Sequence, residues 1–276
     1  MKTIAYGPQD GQAGDLHLPD RANAPVVCLL HGGFWRMPHG RDQFTPVARD
    51  LASRGFAVWN LGYRRVGAPG GGWPGTFTDV ADGIDQLATF ADQVASFDLA
   101  RVTVVGHSAG GHLALWAALH DPPRDGQHGP QRVKVTAVAG LAPVSDLAQA
   151  HELALGDGAV HALLGGSPTT RPARYRSSSP IERLPLAVRQ LVVHGRLDEA
   201  VPVAMSRRYV QAARASGDDV RLIELEHAGH MDFLDPASEA HAALCRWLME
   251  TQDLPRAEWE PCQRHRDGSH RTGTSR

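Results

Sequence analysis

The stretch Gly106-His107-Ser108-Ala109-Gly110 fits G-x-S-x-G, a tight turn that lifts a serine hydroxyl clear of a sheet. A hydroxyl is a weak nucleophile at neutral pH, so Ser108 needs an imidazole to take its proton and a carboxylate to orient that imidazole. Along the chain, a serine of this kind is followed first by its acid and then by its base. Of the 15 histidines, His227 and His230 lie on a post-strand loop downstream of a suitably placed acid. His230 is the better candidate base, because Gly229 permits a turn sharp enough to aim its ring at Ser108, whereas His227 continues the end of a strand. Asp198 lies just past a strand ending at Gly195, where an open parallel sheet carries its site residues, and is the candidate acid. Asp146, on the loop after the preceding strand, competes with it, since the pattern fixes chain order but not which loop carries the acid. Asp232 and Asp235 are too near His230 in sequence to orient it.

A second chemical stretch, His31-Gly32-Gly33-Phe34-Trp35, follows the apolar run Pro25 to Leu30. Adjacent glycines free the backbone to direct N–H groups at a developing oxyanion. His31 reads as a brace for this loop through hydrogen bonds rather than as a base. The glycine-rich stretch from Gly67 to Gly75 lacks both the Gly-Lys-Ser/Thr ending of a phosphate loop and dinucleotide-binding spacing, so nucleotide binding is excluded. It reads as a mobile crossover near the mouth of the site.

The elements that must position these residues follow from periodicity. Residues 101 to 105 are β-branched and apolar apart from Arg101, as a doubly buried strand requires, and 109 to 119 carry Ala, Leu and Trp as a buried helix would. Residues 1 to 20 read as an edge hairpin that covers the sheet, and 56–61, 133–141, 190–195 and 219–226 as further strands. Helices are predicted over 42–53, 76–97, 202–216 and 237–249, that over 76–97 with Asp79, Asp82 and Asp85 on a solvated face. Alternation of strand and helix predicts an α/β fold with a mostly parallel central sheet flanked by helices. Between 142 and 185 the pattern lapses among glycines and prolines, which reads as a cap-like insertion over the pocket within a single domain spanning 1–252. Residues 253–276 read as a disordered tail.

Composition narrows the partners. A net charge of −2, from 28 basic and 30 acidic residues, gives no electrostatic reason for a nucleic-acid or anionic-membrane partner, and a neutral small molecule fits better. Three widely spaced cysteines read as reduced thiols, and with no signal-like or membrane-spanning apolar run they predict a soluble, cytoplasmic protein.

Taken together, residues from about 4 to 250 resemble the α/β-hydrolases of the esterase, lipase and kynurenine formamidase (arylformamidase) group. The resemblance is carried by His31 to Trp35, Tyr63-Arg64 with Trp73-Pro74 and Asp79, Gly106 to Gly111, the run from His194-Gly195 through Asp198 to Pro202, and Gly229-His230. It implies oxyanion donors at the N–H groups of Gly33, Phe34 and Ala109, with Phe34 and Trp35 beside the acyl group. It also implies a serine hydrolase of short-acyl carboxylic esters built on Ser108, Asp198 and His230, needing no metal or cofactor. The alternative within the same mechanism is an arylformamidase acting on N-formylkynurenine. From a different class, a non-catalytic small-molecule receptor on the same fold is the remaining alternative.

Overall fold

The computed structural model describes residues 1–93, 97–119 and 132–254. Eight strands form one sheet: β1 (Lys2–Ala5), β2 (Ala13–His17), β3 (Ala24–Leu30), β4 (Ala57–Leu61), β5 (Phe97–His107), β6 (Ala137–Leu141), β7 (Arg189–Gly195) and β8 (Val220–Leu225). Their order is β1-β2-β4-β3-β5-β6-β7-β8. The β1–β2 and β2–β4 pairs are antiparallel and all the others are parallel. The expected edge hairpin is present, but it extends the sheet through β4 rather than covering it.

Every residue of β3, β4 and β6 is buried, as the apolar runs Val-Val-Cys-Leu-Leu and Ala-Val-Ala-Gly-Leu demand of strands sandwiched by helices. Helices α1 (Thr45–Ser53) and α8 (Glu239–Thr251) pack on one face, where Val47, Leu51, Leu244 and Leu248 meet Val27, Val105 and Val193. Helices α2 (Gly75–Gln93), α3 (Ala109–Ala117) and α7 (Val203–Ala215) pack on the other, where Ile84, Leu113 and Tyr209 meet Cys28, Val104 and Val192. Leu30 pairs with Gly106, and His107 with Leu141, so the loops after β3, β5 and β6 leave the same edge of the sheet side by side. That alignment gathers the chemically marked loops in one place. No helix among the described residues is long and apolar enough to cross a membrane.

Two expectations are corrected. The helix expected over 76–97 ends at Gln93, and Phe97 instead opens β5 opposite Ala24, since one apolar residue in helical register is equally acceptable at a buried strand end. Its acidic face is not wholly solvated. Asp79 is fully buried and accepts from Arg64 Nη2 at 2.6 Å, Arg64 N at 2.7 Å and Gln12 Nε2 at 2.8 Å, while Asp85 accepts from the Arg132 and Val133 amides. The lapse between 142 and 185 contains three short helices, α4 (Leu147–Glu152), α5 (Leu155–Leu164) and α6 (Pro172–Ser178). Their brevity hid them: left-handed Gly156, Asp157 and Gly158 interrupt α5, and a proline opens α6. The expected tail beyond Leu254 lies outside the described residues, and Leu254 is itself buried against the α1 and α8 face.

The Arg64–Asp79 pair joins the loop after β4 to α2, and Gln12 adds the β1–β2 turn. Removing the guanidinium leaves a buried carboxylate short of its counter-charge. Arg64→Met is therefore expected to cost about 3 kcal/mol, at the lower end for a buried pair because Arg64 is itself partly exposed. Urea denaturation of the two forms measures it, and a loss below about 0.5 kcal/mol, as for a surface pair, would refute it.

Candidate active site

Ser108 joins β5 to α3 with φ 56° and ψ −118°, a backbone conformation that non-glycine residues rarely adopt. Its N–H donates to the Leu141 carbonyl at 2.8 Å, and its own carbonyl accepts from His112 N and Val144 N. The flanking glycines are sterically required. A Cβ at position 106 would stand 2.0 Å from the Gly110 oxygen, and one at position 110 would stand 1.9 Å from the Leu30 oxygen. Ala109 is the first residue of α3, so its N–H has no acceptor within the helix.

Asp198 and His230 meet directly. His230 Nδ1–H donates to Asp198 Oδ2 at 2.7 Å, which leaves Nε2 as the ring's free lone pair. The other carboxylate oxygen accepts from the Ala200 and Val201 amides at 2.9 and 2.8 Å. Burial raises the Asp198 carboxyl, but the hydrogen bonds from His194, His230 and Val201 overcome it and hold the group well below the usual carboxylate range. The competing Asp146 is elsewhere, capping α4 through Gln149 N and pairing with Arg208 at 3.2 Å. His227 is exposed.

Two histidines without an assigned role complete this constellation. His107 sits between Ser108 and the His230 loop: its Nε2–H donates to the His230 carbonyl at 2.8 Å, and the two rings lie 4.6 Å apart. The described link from Ser108 to His230 runs through this neighbour. His194 is fully buried, with Nε2 at 3.3 Å from Asp198 Oδ2 and 2.9 Å from the Val201 carbonyl, and its Nδ1 accepts from the Ser206 hydroxyl at 2.7 Å. His107 was legible only as the variable residue of G-x-S-x-G, and His194 only as part of a strand-end motif. A side-chain hydrogen bond across more than a hundred residues leaves no local signal.

The loop after β3 runs through Gly33, Phe34 and Trp35 at φ 97°, 49° and 56°. Its backbone lies against the serine, for a Cβ on Gly32 would stand 3.2 Å from Ser108 Cβ. His31 braces the loop as expected: Nδ1–H donates to the Gly32 carbonyl, and the ring stacks on Tyr63 at 4.2 Å. Trp35 corrects the expectation that its ring stands against an acyl group. The side chain is fully buried, and its indole N–H lies 3.0 Å from the Ala109 carbonyl and 3.1 Å from His112 Nδ1, so it clamps this loop to α3. Tryptophan buries a large ring while satisfying its N–H, which explains why the position rewards it. Phe34 is partly exposed and rests on Gly156 of α5, while Arg36 donates to the Gly156 and Asp157 carbonyls at 2.7 and 3.1 Å.

The BD-FAE family model matches residues 15–212. The chain belongs to the BD-FAE family. Among curated proteins it is similar to esterase LipC of Mycobacterium tuberculosis, 30% identical across 86% of this chain and 61% of that one. It is also similar to esterase LipQ of the same organism, 31% identical across 82% of this chain and 56% of the other. This BD-FAE chain thus spans about three fifths of the length of the curated relatives it matches. Among solved structures, a truncated carbohydrate esterase from gut microbiota superposes with a TM-score of 0.77 at 20% identity, covering 92% of this chain and 97% of that one. That likeness identifies the α/β-hydrolase fold.

The interior of this BD-FAE chain is lined by imidazoles held neutral. Burial lowers His31 and His107 to about 3 and His112 to about 4, against 6.5 for a free histidine. The unfolded chain therefore binds protons below about 6.5 that the folded chain refuses until about 3 to 4, so stability falls as pH drops through that window. The urea midpoint is expected to be lower near pH 5 than near pH 7.5, with a smaller drop in His112→Gln. A midpoint that does not move between those pH values would overturn this.

Proposed function

We propose that this chain is a serine hydrolase that cleaves short-acyl carboxylic esters through an acyl-enzyme on Ser108. The observation that carries the reading is the 2.7 Å contact of His230 Nδ1 with Asp198, on a loop whose His230 carbonyl accepts from His107, the residue beside Ser108. In this reading Ser108, His230 and Asp198 form a catalytic triad. His230 Nε2 takes the Ser108 proton as Oγ attacks the ester carbonyl, and Asp198 keeps the ring in the tautomer that leaves Nε2 able to accept it. The N–H groups of Gly33, Phe34 and Ala109 receive the oxyanion. His230 then returns the proton to the leaving alcohol and activates the water that releases the acid. No step requires a cofactor.

Substrate size follows from Phe34. In this reading its ring, which rests on Gly156, stands beside the reacting carbonyl and limits the acyl chain that fits there. A formyl group is shorter still, so an aryl formamide such as N-formylkynurenine is the second substrate class to test. The partner is a small-molecule ester. A cytoplasmic setting is supported by the free thiols of Cys28 and Cys245.

Ser108→Ala should abolish turnover without unfolding the chain, and an organophosphonate should label Ser108 as mapped by mass spectrometry. His230→Ala and Asp198→Asn should each lower kcat by roughly 10³ to 10⁴, whereas Asp146→Asn and His227→Ala should do far less. Full activity in Ser108→Ala, or a larger loss from Asp146→Asn than from Asp198→Asn, would contradict the assignment. In side-by-side assays, kcat/KM should favour acetyl over octanoyl esters of one alcohol, and Phe34→Gly should narrow that ratio. N-formylkynurenine turned over faster than any ester would move the reading to the formamidase.

A further inference from the structure

On the sheet face covered by α1 and α8, three side chains of different donor chemistry converge. Asp50 lies on α1, and His241 and Cys245 lie four residues apart on α8, so the last two project from one side of that helix. One ligand atom from each lies within 4.8 Å of the other two. Asp50 Oδ2 stands 2.6 Å and Cys245 Sγ 3.2 Å from the same atom, His241 Nε2.

A thiol, an imidazole and a carboxylate can form a nucleophilic relay, but only with the carboxylate on the ring nitrogen opposite the thiol. Here both meet Nε2, and His241 Nδ1 is buried with no hydrogen-bond partner among the described residues. Cys245 is also 1% exposed, closed to any substrate. Oxygen, nitrogen and sulfur donor atoms that all lie within 4.8 Å of one another are instead a set that one metal ion can hold. Tetrahedral zinc, with bonds of about 2.0 to 2.3 Å, places its ligand atoms roughly 3.3 to 3.6 Å apart, within about an ångström of both separations from His241 Nε2. The mixed donor set suits a borderline-soft divalent ion and not calcium or magnesium.

We propose that Asp50, His241 and Cys245 bind a zinc-class divalent ion that ties α1 to α8, with water as the fourth ligand. Asp50 keeps 23% of its side chain exposed, which gives water and the ion a way in. Arg54 donates to Asp50 Oδ2 at 2.6 Å and to Oδ1 at 3.1 Å. The ion takes Oδ2 while the guanidinium keeps Oδ1, so Arg54 competes with the metal. On binding, the Cys245 S–H bond breaks and its proton leaves to solvent. The imidazole carries its proton on Nδ1 and gives the Nε2 lone pair to the metal, so one proton is released per ion. The ion is structural, and the proposal stands independently of the ester chemistry at Ser108.

The test uses the full chain stripped by a chelator and titrated with Co²⁺, then with Zn²⁺. One equivalent of Co²⁺ is expected to give a thiolate-to-cobalt charge-transfer band that one equivalent of Zn²⁺ removes, with a rise in Tm. Cys245→Ser should lose the band, Cys28→Ser and Cys262→Ser should keep it, and Arg54→Gln should bind more tightly. No band in the wild type, or a band that survives Cys245→Ser, would overturn the proposal. Should circular dichroism show Cys245→Ser unfolded, Asp50→Asn decides: an affinity reduced at least tenfold supports the site, and an unchanged one overturns it.

Discussion

The structure depends on holding one serine in a backbone conformation it would not choose. A non-glycine residue at φ 56° and ψ −118° costs of the order of 1 to 3 kcal/mol and persists only where its surroundings leave no alternative. Those surroundings come from distant parts of the chain. The Ser108 amide is held by the end of β6, the Gly110 backbone lies against the end of β3, and Trp35 grips the first carbonyl of α3. The parallel register that aligns Leu30, Gly106 and Gly140 delivers all three contacts at one edge. The sheet order serves as the mould of this turn as well as the core of the protein.

Charge is distributed just as selectively. His31, His107 and His112 are neutral clips: one ring nitrogen of each donates to a backbone carbonyl, at Gly32, His230 and Ser178 respectively. A neutral imidazole spans such gaps without the desolvation cost of an ion. Asp198 does the opposite. It keeps its charge in a buried setting by collecting two backbone amides and two imidazoles, and so presents a fixed negative end to His230.

Much of this was legible in the sequence because it is encoded locally. The turn glycines flank Ser108 directly, Asp198 closely follows its strand, and the buried strands announce themselves as apolar runs. What was not legible is encoded between segments. Trp35 reads as an aromatic beside a glycine loop, and only the fold shows its ring turned inward to a partner 74 residues away. Asp79 looks like one of several solvated helix acids until Arg64 and Gln12 are brought to it. Helices α4 to α6 escaped because helices of six to ten residues, broken by glycine and proline, give periodicity too little length to register.

The contact between Arg36 and α5 has a further bearing. Both of its acceptors, at Gly156 and Asp157, are main-chain carbonyls, in a turn whose left-handed backbone suits glycine better than any other residue. Such a latch recognises the path of the polypeptide and is blind to the side chains it carries. The residues around it, Leu153 among them with half its surface open, are free to diverge while the segment stays docked beside Phe34. Point mutations in this segment can therefore change the surface beside Phe34 without touching the bonds that hold the segment in place.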